Sequence, residues 1–205
     1  MNTIRRLGLL CSVATCTVLL AAAGSRVEPT TQTAEAIEFT LDPVHCMANF
    51  RVHHMGAGMF WGRFNQVTGT MSTSEDGSIA PTMNVVVDVE SVDTGTEKLD
   101  RTLMGPNFFD SKEFPTITFK SASAEPDGKG GWKMTGDLTM LGVTKEIVAD
   151  VELTGVKGSP VMKKAGYEAI FTIKRSDYGM TWGVDNGALG DEVRLVVGLE
   201  GDWSA

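Results

Sequence analysis

Period-two alternation runs through most of this chain, and it restricts those stretches to strands with one buried face and one wet face. Met83, Val85, Val87 and Val89 interleave with Asn84, Asp88 and Glu90. Trp132, Met134, Leu138 and Met140 interleave with Lys133, Thr135, Asp137 and Thr139, and Ile147, Ala149, Val151 and Leu153 with Glu146, Asp150 and Glu152. Tyr167, Ala169, Phe171 and Ile173 repeat the scheme, as do Val193, Leu195, Val197 and Leu199 against Glu192, Arg194 and Glu200. Turn clusters at 75–78, 126–131 and 158–160 separate the runs. With residues 37–54, 60–72 and 116–123 added, the pattern predicts about eight strands. The exception is 95–110, where Leu99 and Leu103 stand at helical spacing after Asp93-Thr94 and are followed by Phe108-Phe109. The expectation is an all-β, eight-stranded antiparallel barrel with a short helical lid, just wide enough for one ligand. A two-sheet sandwich is the alternative the same pattern allows.

The first 36 residues lie outside this scheme. Arg5 and Arg6 precede an apolar run from Leu7 to Leu20 that closes on Ala21-Ala22-Ala23. A basic start, a short apolar core and small residues at the cleavage point read as a secretory signal peptide over 1–23. The run is shorter than the ~20 residues a membrane span needs. Residues 24–36, rich in Thr, Ala and Glu and without periodicity, read as a flexible leader, and 37–205 as the folded domain. Export implies a periplasmic or secreted location. Cleavage removes Cys11 and Cys16, so Cys46 has no disulfide partner and the core of the remaining 182 residues must suffice. Loss of Arg5 and Arg6 moves the net charge from −8 to −10, which argues against nucleic acid as a partner and against electrostatic adhesion to anionic lipid.

All three histidines and Cys46 fall in His45–His54, the segment "HCMANFRVHH". On one continuous strand Cys46, Ala48, Phe50, Val52 and His54 face one way, and His45, Met47, Asn49, Arg51 and His53 the other. His45 and His53 share a face but stand roughly 26 Å apart, and adjacent His53 and His54 point to opposite faces. Zinc needs its ligands within about 2.3 Å of one point, so this strand alone cannot supply two. No metal or other cofactor is expected. Cys46 reads as a small buried hydrophobe. His54 sits where the inner face runs out, either satisfied by backbone at a barrel rim or donating a hydrogen bond to a ligand's polar head.

The inward apolar side chains could line one continuous cavity. Phe50, Val52, Phe60, Phe64, Val85, Val87, Phe119, Leu138, Met140 and Phe171 supply the wall, with Leu99, Leu103, Phe108 and Phe109 as a greasy lid. The same residues could equally pack as a solid core, since side chains alone can fill a small barrel. Eleven methionines would help a cavity adapt to a flexible ligand.

The fragments "LDPVHCMANFRVHHMGAGMFWGRFNQVTGTM", "VDVESVDTGTEKLD", "NFFDSKEFPTITFKS", "GDLTMLGVTKEI", "AGYEAIFTIKRSDYGMTW" and "DEVRLVVGLEG" follow one another between Phe39 and Gly201. In that order they resemble the YceI-like family of periplasmic polyisoprenoid-binding proteins. The resemblance implies an extended lipocalin-like barrel whose apolar interior holds a long isoprenoid or similar chain, without catalytic residues. His45 and His54 fall on the family's recurrent histidines. Phe64, Asp93, Asp100, Phe108, Asp110, Pro115, Phe119, Gly136, Leu138, Gly142, Arg175 and Asp177 also fall on recurrent positions. The chain departs from the family at Leu99-Asp100-Arg101-Thr102-Leu103-Met104, where two basic groups and an imidazole beside the lid are missing. That departure favours a neutral head group over a polyprenyl phosphate.

The expected function is therefore a non-catalytic binding protein for a quinone-like, polyprenyl or fatty lipid, serving carriage, storage or stress-related roles. Transient contact with a membrane or a membrane redox protein is the expected partnership beyond the lipid, and the oligomeric state is open, a homodimer included. No nucleophile elbow, phosphate loop, Cys-x-x-Cys or His-Glu-x-x-His supports an enzyme. The competing class is a haem, metal or redox accessory protein using His54 and methionines.

Overall fold

A computed structural model describes residues 34–204, so the expected signal peptide over 1–23 and most of the expected leader over 24–36 lie outside the described residues. The chain forms β1 (Ile37–Leu41), β2 (Met47–His54), β3 (Gly58–Phe64), β4 (Val67–Thr73), β5 (Thr82–Asp88), β6 (Val92–Asp93), α1 (Glu97–Leu103), β7 (Thr116–Pro126), β8 (Trp132–Met140), β9 (Val143–Ser159), β10 (Met162–Lys174) and β11 (Leu189–Ser204). All pairings are antiparallel. β1 pairs β4 on one side and β11 on the other, which closes the ring β1-β4-β5-β7-β8-β9-β10-β11. This is the eight-stranded barrel, and closure removes the sheet edges that an open form would expose.

β2, β3 and β6 prolong the staves of β1, β4 and β5. β11 is long enough to pair β2 through Val193–Gly198 and β1 through Gly201 and Asp202. The sequence pattern treats 37–54 and 60–72 as single strands, and the structure breaks both. At 42–46, Pro43 removes a backbone donor and the Asp42 carboxylate accepts from Val44 N at 2.9 Å, an Asx-turn. His45 therefore lies in a turn ahead of β2, not on a strand with His53. Asn65-Gln66 interrupts the second stave. Between β5 and β6 the chain makes a single 3₁₀ turn at Val89–Ser91, capped by Asp88 Oδ1 accepting from Glu90 N at 2.9 Å.

Beyond Asp88↔Thr116 no ladder joins β6 to β7 among the described residues. Here α1 and residues 104–115 run across the wall. The helix covers 97–103, within the expected 95–110. Its start is tied by Asp100, whose carboxylate accepts from Thr94 N at 2.7 Å and Thr94 Oγ1 at 2.6 Å. Leu103 and Phe108 are buried and Leu99 and Phe109 half-buried against the core. The other end of the barrel is packed solid by Phe39, Val67, Met71 and Tyr167, all at most 1 % exposed. Among the described residues no helix is long and apolar enough to cross a membrane.

Candidate functional site

The inner faces enclose a cavity of about 620 Å³. That is roughly four times the ~150 Å³ of an engineered apolar cavity that stays dry and takes up benzene, and it falls within the ~300–1,000 Å³ of small-molecule sites. It is too large for a packing defect, and the solid-core reading of the wall does not hold. Phe50, Val52, Phe60, Phe64, Val85, Val87, Phe119, Leu138, Met140 and Phe171 all line it, as do Leu99, Leu103, Phe108 and Phe109. Periodicity places these side chains because each strand turns every second residue inward.

The aromatic rings cluster beneath the helical segment. Phe64 and Phe109 meet edge to face at 5.2 Å between centroids, and Phe50 lies 5.7 Å from Phe64 and 6.4 Å from Phe109. Gly62 allows this arrangement, because a Cβ there would stand 2.3 Å from Phe50 Cζ. Phe108 turns to Trp182, 5.4 Å away. Lid and wall thus interdigitate, and Phe109 forms part of the cavity ceiling rather than a loose cover.

Sequence periodicity missed Met180, Trp182, Asn107 and Thr102, which also line the cavity. They come from α1 and from loops without a regular period. Arg175 is the further addition, noted in the sequence only as a recurrent position. It is 2 % exposed, yet its guanidinium is held by four backbone carbonyls. Nε donates to Gly190 O at 2.7 Å, Nη1 to Met180 O at 2.9 Å, and Nη2 to Trp182 O at 2.8 Å and Leu189 O at 2.9 Å. Burial depresses its pKa, opposed by the nearby Asp191 carboxylate. That carboxylate accepts from Ser176 N and Oγ, at 2.9 and 2.8 Å. Arg175 therefore ties the loop between β10 and β11 to the barrel. The signal that could have found it is an arginine directly after a strand, ahead of the stretch 176–188 without alternation.

The histidines separate as strand geometry requires. His54 lines the mouth, is exposed, and its ring makes no hydrogen bond among the described residues. His45 is outside the barrel, Nδ1 to Asp42 Oδ2 at 2.6 Å and 3.8 Å from Glu200 Oε1. That hydrogen bond raises the His45 pKa and lowers that of Asp42. Asp42, His45 and Glu200 bring ligand-type atoms within 4.8 Å of one another. Lys164 occupies the same ground, its Nζ 2.8 Å from both Glu200 and Asp202 and 3.5 Å from Asp42. The Lys164 ammonium already pairs with these carboxylates and offsets part of their charge. Cys46 is 2 % exposed with Sγ 3.2 Å from Glu200 O and N, and burial pushes its thiol up.

A closed antiparallel ring around an apolar cavity, solid at one end and lidded at the other, is a lipocalin-like barrel. Residues 39–201 match the YceI-like domain, and the chain belongs to that family. Protein YceI of Salmonella arizonae is 35 % identical over 175 residues, covering 84 % of this chain and 90 % of the relative, and the Salmonella paratyphi B protein matches equally. Among solved structures, the Campylobacter jejuni YCEI protein is similar with TM-score 0.67 and 28 % identity, over 75 % of this chain and 90 % of that one. Burkholderia cenocepacia BcnA has TM-score 0.67 at 22 % identity, over 78 % and 98 %. A polyisoprenoid binding domain from Saccharophagus degradans has TM-score 0.61 at 16 % identity, over 82 % and 98 %. The last two share the fold.

Proposed function

We propose that this protein is an exported, non-catalytic carrier or store that holds one long isoprenoid, quinone-like or fatty chain in the barrel. The observation that carries the reading is the 620 Å³ cavity, walled almost wholly by aliphatic and aromatic side chains. Burying a chain there stabilises the complex by roughly 0.8 kcal/mol per CH₂, so the tail alone can supply the affinity. Polar groups gather toward the mouth: His54, Thr102, Asn107 and Arg175. Arg175 spends its donors on carbonyls, and Thr102 and Met104 stand where the family usually has charge or imidazole. A neutral head group near His54 fits this set better than a phosphate. The wall brings no nucleophile with a base beside it, and the reading needs no cofactor. Family membership and the signal-like leader favour the periplasm.

The test compares a prenyl alcohol or quinone with the matching prenyl phosphate, by tryptophan fluorescence and mass spectrometry of the complex. The expected result is tighter binding of the uncharged ligand, weakened about three- to tenfold in His54→Ala, which removes at most one hydrogen bond. Leu138→Asp, which places an unpaired carboxylate in the wall, should abolish binding in protein shown to be folded by circular dichroism. Preference for the phosphate would overturn the head-group assignment. Failure of folded protein to bind any of them would overturn the function.

A further inference from the structure

Beside the mouth of the cavity, where Trp182 lines it, stand apolar side chains that the fold does not bury. Met55 is 64 % exposed, Met59 53 %, Trp182 51 % and Trp61 50 %. They belong to one neighbourhood. Met55 lies at the tip between β2 and β3, and its N donates to Ala188 O at 3.0 Å, which joins that tip to the loop carrying Trp182. Met59 and Trp61 stand on the outer face of β3, opposite His53 and Arg51 of β2. Residues 54–60 and 178–184 contain no Asp, Glu, Lys or Arg, although 21 % of the chain is charged, and the second segment is bounded by Asp177 and Asp185.

Two features of this region are unfavourable for the isolated fold. Met55 has φ +53° and Gly56 φ +66°, the left-handed pair of a tight hairpin turn, where Asn, Asp or Gly is preferred. A methionine there is strained, and with its side chain 64 % exposed it recovers little by packing. On the adjoining outer face Arg51 lies directly opposite Arg194, a like-charge pair that destabilises a ladder. Neither has a carboxylate within ion-pairing distance among the described residues. Arg51 stacks over Trp61 instead, 5.6 Å from the ring centroid. Arg63 of β3 extends the face and is partly neutralised by Asp93 at 2.9 Å, and Glu192 faces Lys174 further along. A net-basic patch beside an uncharged apolar rim is unexpected on a chain of net charge −8.

We propose that this rim docks the mouth of the barrel onto a phosphate-bearing lipid surface. The Met55, Met59 and Trp182 side chains enter the interface while Arg51 and Arg194 meet the head-group phosphates. Tryptophan and arginine are the side chains suited to that boundary, and the like-charge pair finds its counter-charge there. A lipid then passes between bilayer and cavity without crossing water. The inference rests on the reading that the cavity takes lipid, yet docking is measurable on its own.

Full-length mature protein is sedimented with vesicles of phosphatidylcholine, with or without phosphatidylglycerol, and lipid loading is followed separately by mass spectrometry. Binding to the phosphatidylglycerol vesicles is expected to be the stronger and to fall as salt rises. Arg51→Gln should weaken it about fivefold and Met59→Asp about tenfold. Met55→Asn suits the turn, so the protein should melt at the same or a higher temperature while vesicle binding drops several-fold. Val161 and Met162, 70 % and 61 % exposed at the opposite end, give the control: Val161→Asp should change nothing. Equal binding by Met55→Asn and the parent, or equal loss in Val161→Asp, would overturn the proposal. Self-association that Met59→Asp abolishes, without vesicle binding, would assign the rim to a second copy instead. Docking lost with loading intact overturns this inference alone, and loading lost with docking intact overturns the carrier reading alone.

Discussion

Replacing Gly62 by alanine asks whether the space behind Phe50 is empty. The new Cβ would stand 2.3 Å from Phe50 Cζ and 2.8 Å from Cε2, so the ring must move by more than 1 Å to reach ordinary contact, at about 3.4 Å or beyond. In a packed core such overpacking costs about 1–3 kcal/mol. Here the ring faces a 620 Å³ cavity and can swing into it. Alanine also recovers roughly 0.5–1 kcal/mol, because glycine is the poorer strand residue. The net change should lie within about 1 kcal/mol, a melting shift under ~4 °C. The price is cavity space, so affinity for the longest chains should fall while short ones are unaffected. Gly136→Ala is the contrasting case. Its Cβ would meet the Lys120 carbonyl oxygen at 2.5 Å as well as the Phe119 ring at 2.6 Å, and backbone cannot swing aside. That variant should lose the full ~1–3 kcal/mol or more, read by thermal and urea unfolding. If Gly62→Ala is as destabilised as Gly136→Ala, the ring has nowhere to go and the reasoning fails.

Arg175→Lys should lower stability by about 3 kcal/mol or more, since an ammonium cannot span four carbonyls and leaves several buried acceptors unpaired. Hydrogen exchange should show the 176–188 loop opening in the same variant, and an unchanged melting temperature would contradict the role. His45 should titrate above its ordinary value of 6.5, because the Asp42 hydrogen bond favours the charged ring. A raised folded pKa means the contribution is complete below about pH 6.5 and lost as pH rises through the folded value. His45→Gln should therefore narrow the stability difference between acid and alkaline sides of that window, and an NMR midpoint at or below 6.5 would refute the contact.

The wall was legible because strand geometry converts alternation directly into facing: Val85 and Val87, or Phe119 and Leu138, could point only one way once their strands formed. What alternation could not carry is continuity through a break. Phe39 and Leu41 face inward at odd positions, whereas Cys46, Ala48, Phe50 and Val52 do so at even ones. The turn at 42–46 resets the parity, so a strand reading that begins at His45 has the right face but the wrong start. The same reset separates Phe60 and Phe64 from Val67 and Met71, and Val85 and Val87 from Val92. The helix showed through the four-residue spacing of Leu99 and Leu103. Met180, Trp182 and the carbonyl cage of Arg175 stayed hidden because loop residues take their positions from long-range hydrogen bonds, which leave no period. The Asp42–His45–Glu200 group was invisible for a related reason: β11 delivers Glu200 from 155 residues further along the chain.

If a lipid chain fills the barrel, organic extraction of protein purified from its native host will recover it. Mass spectrometry of the extract should find about one uncharged isoprenoid, quinone-like or fatty molecule per folded protein, and the Leu138→Asp variant should carry none. An extract that holds no lipid, from protein that also takes up none when offered it, would contradict the account.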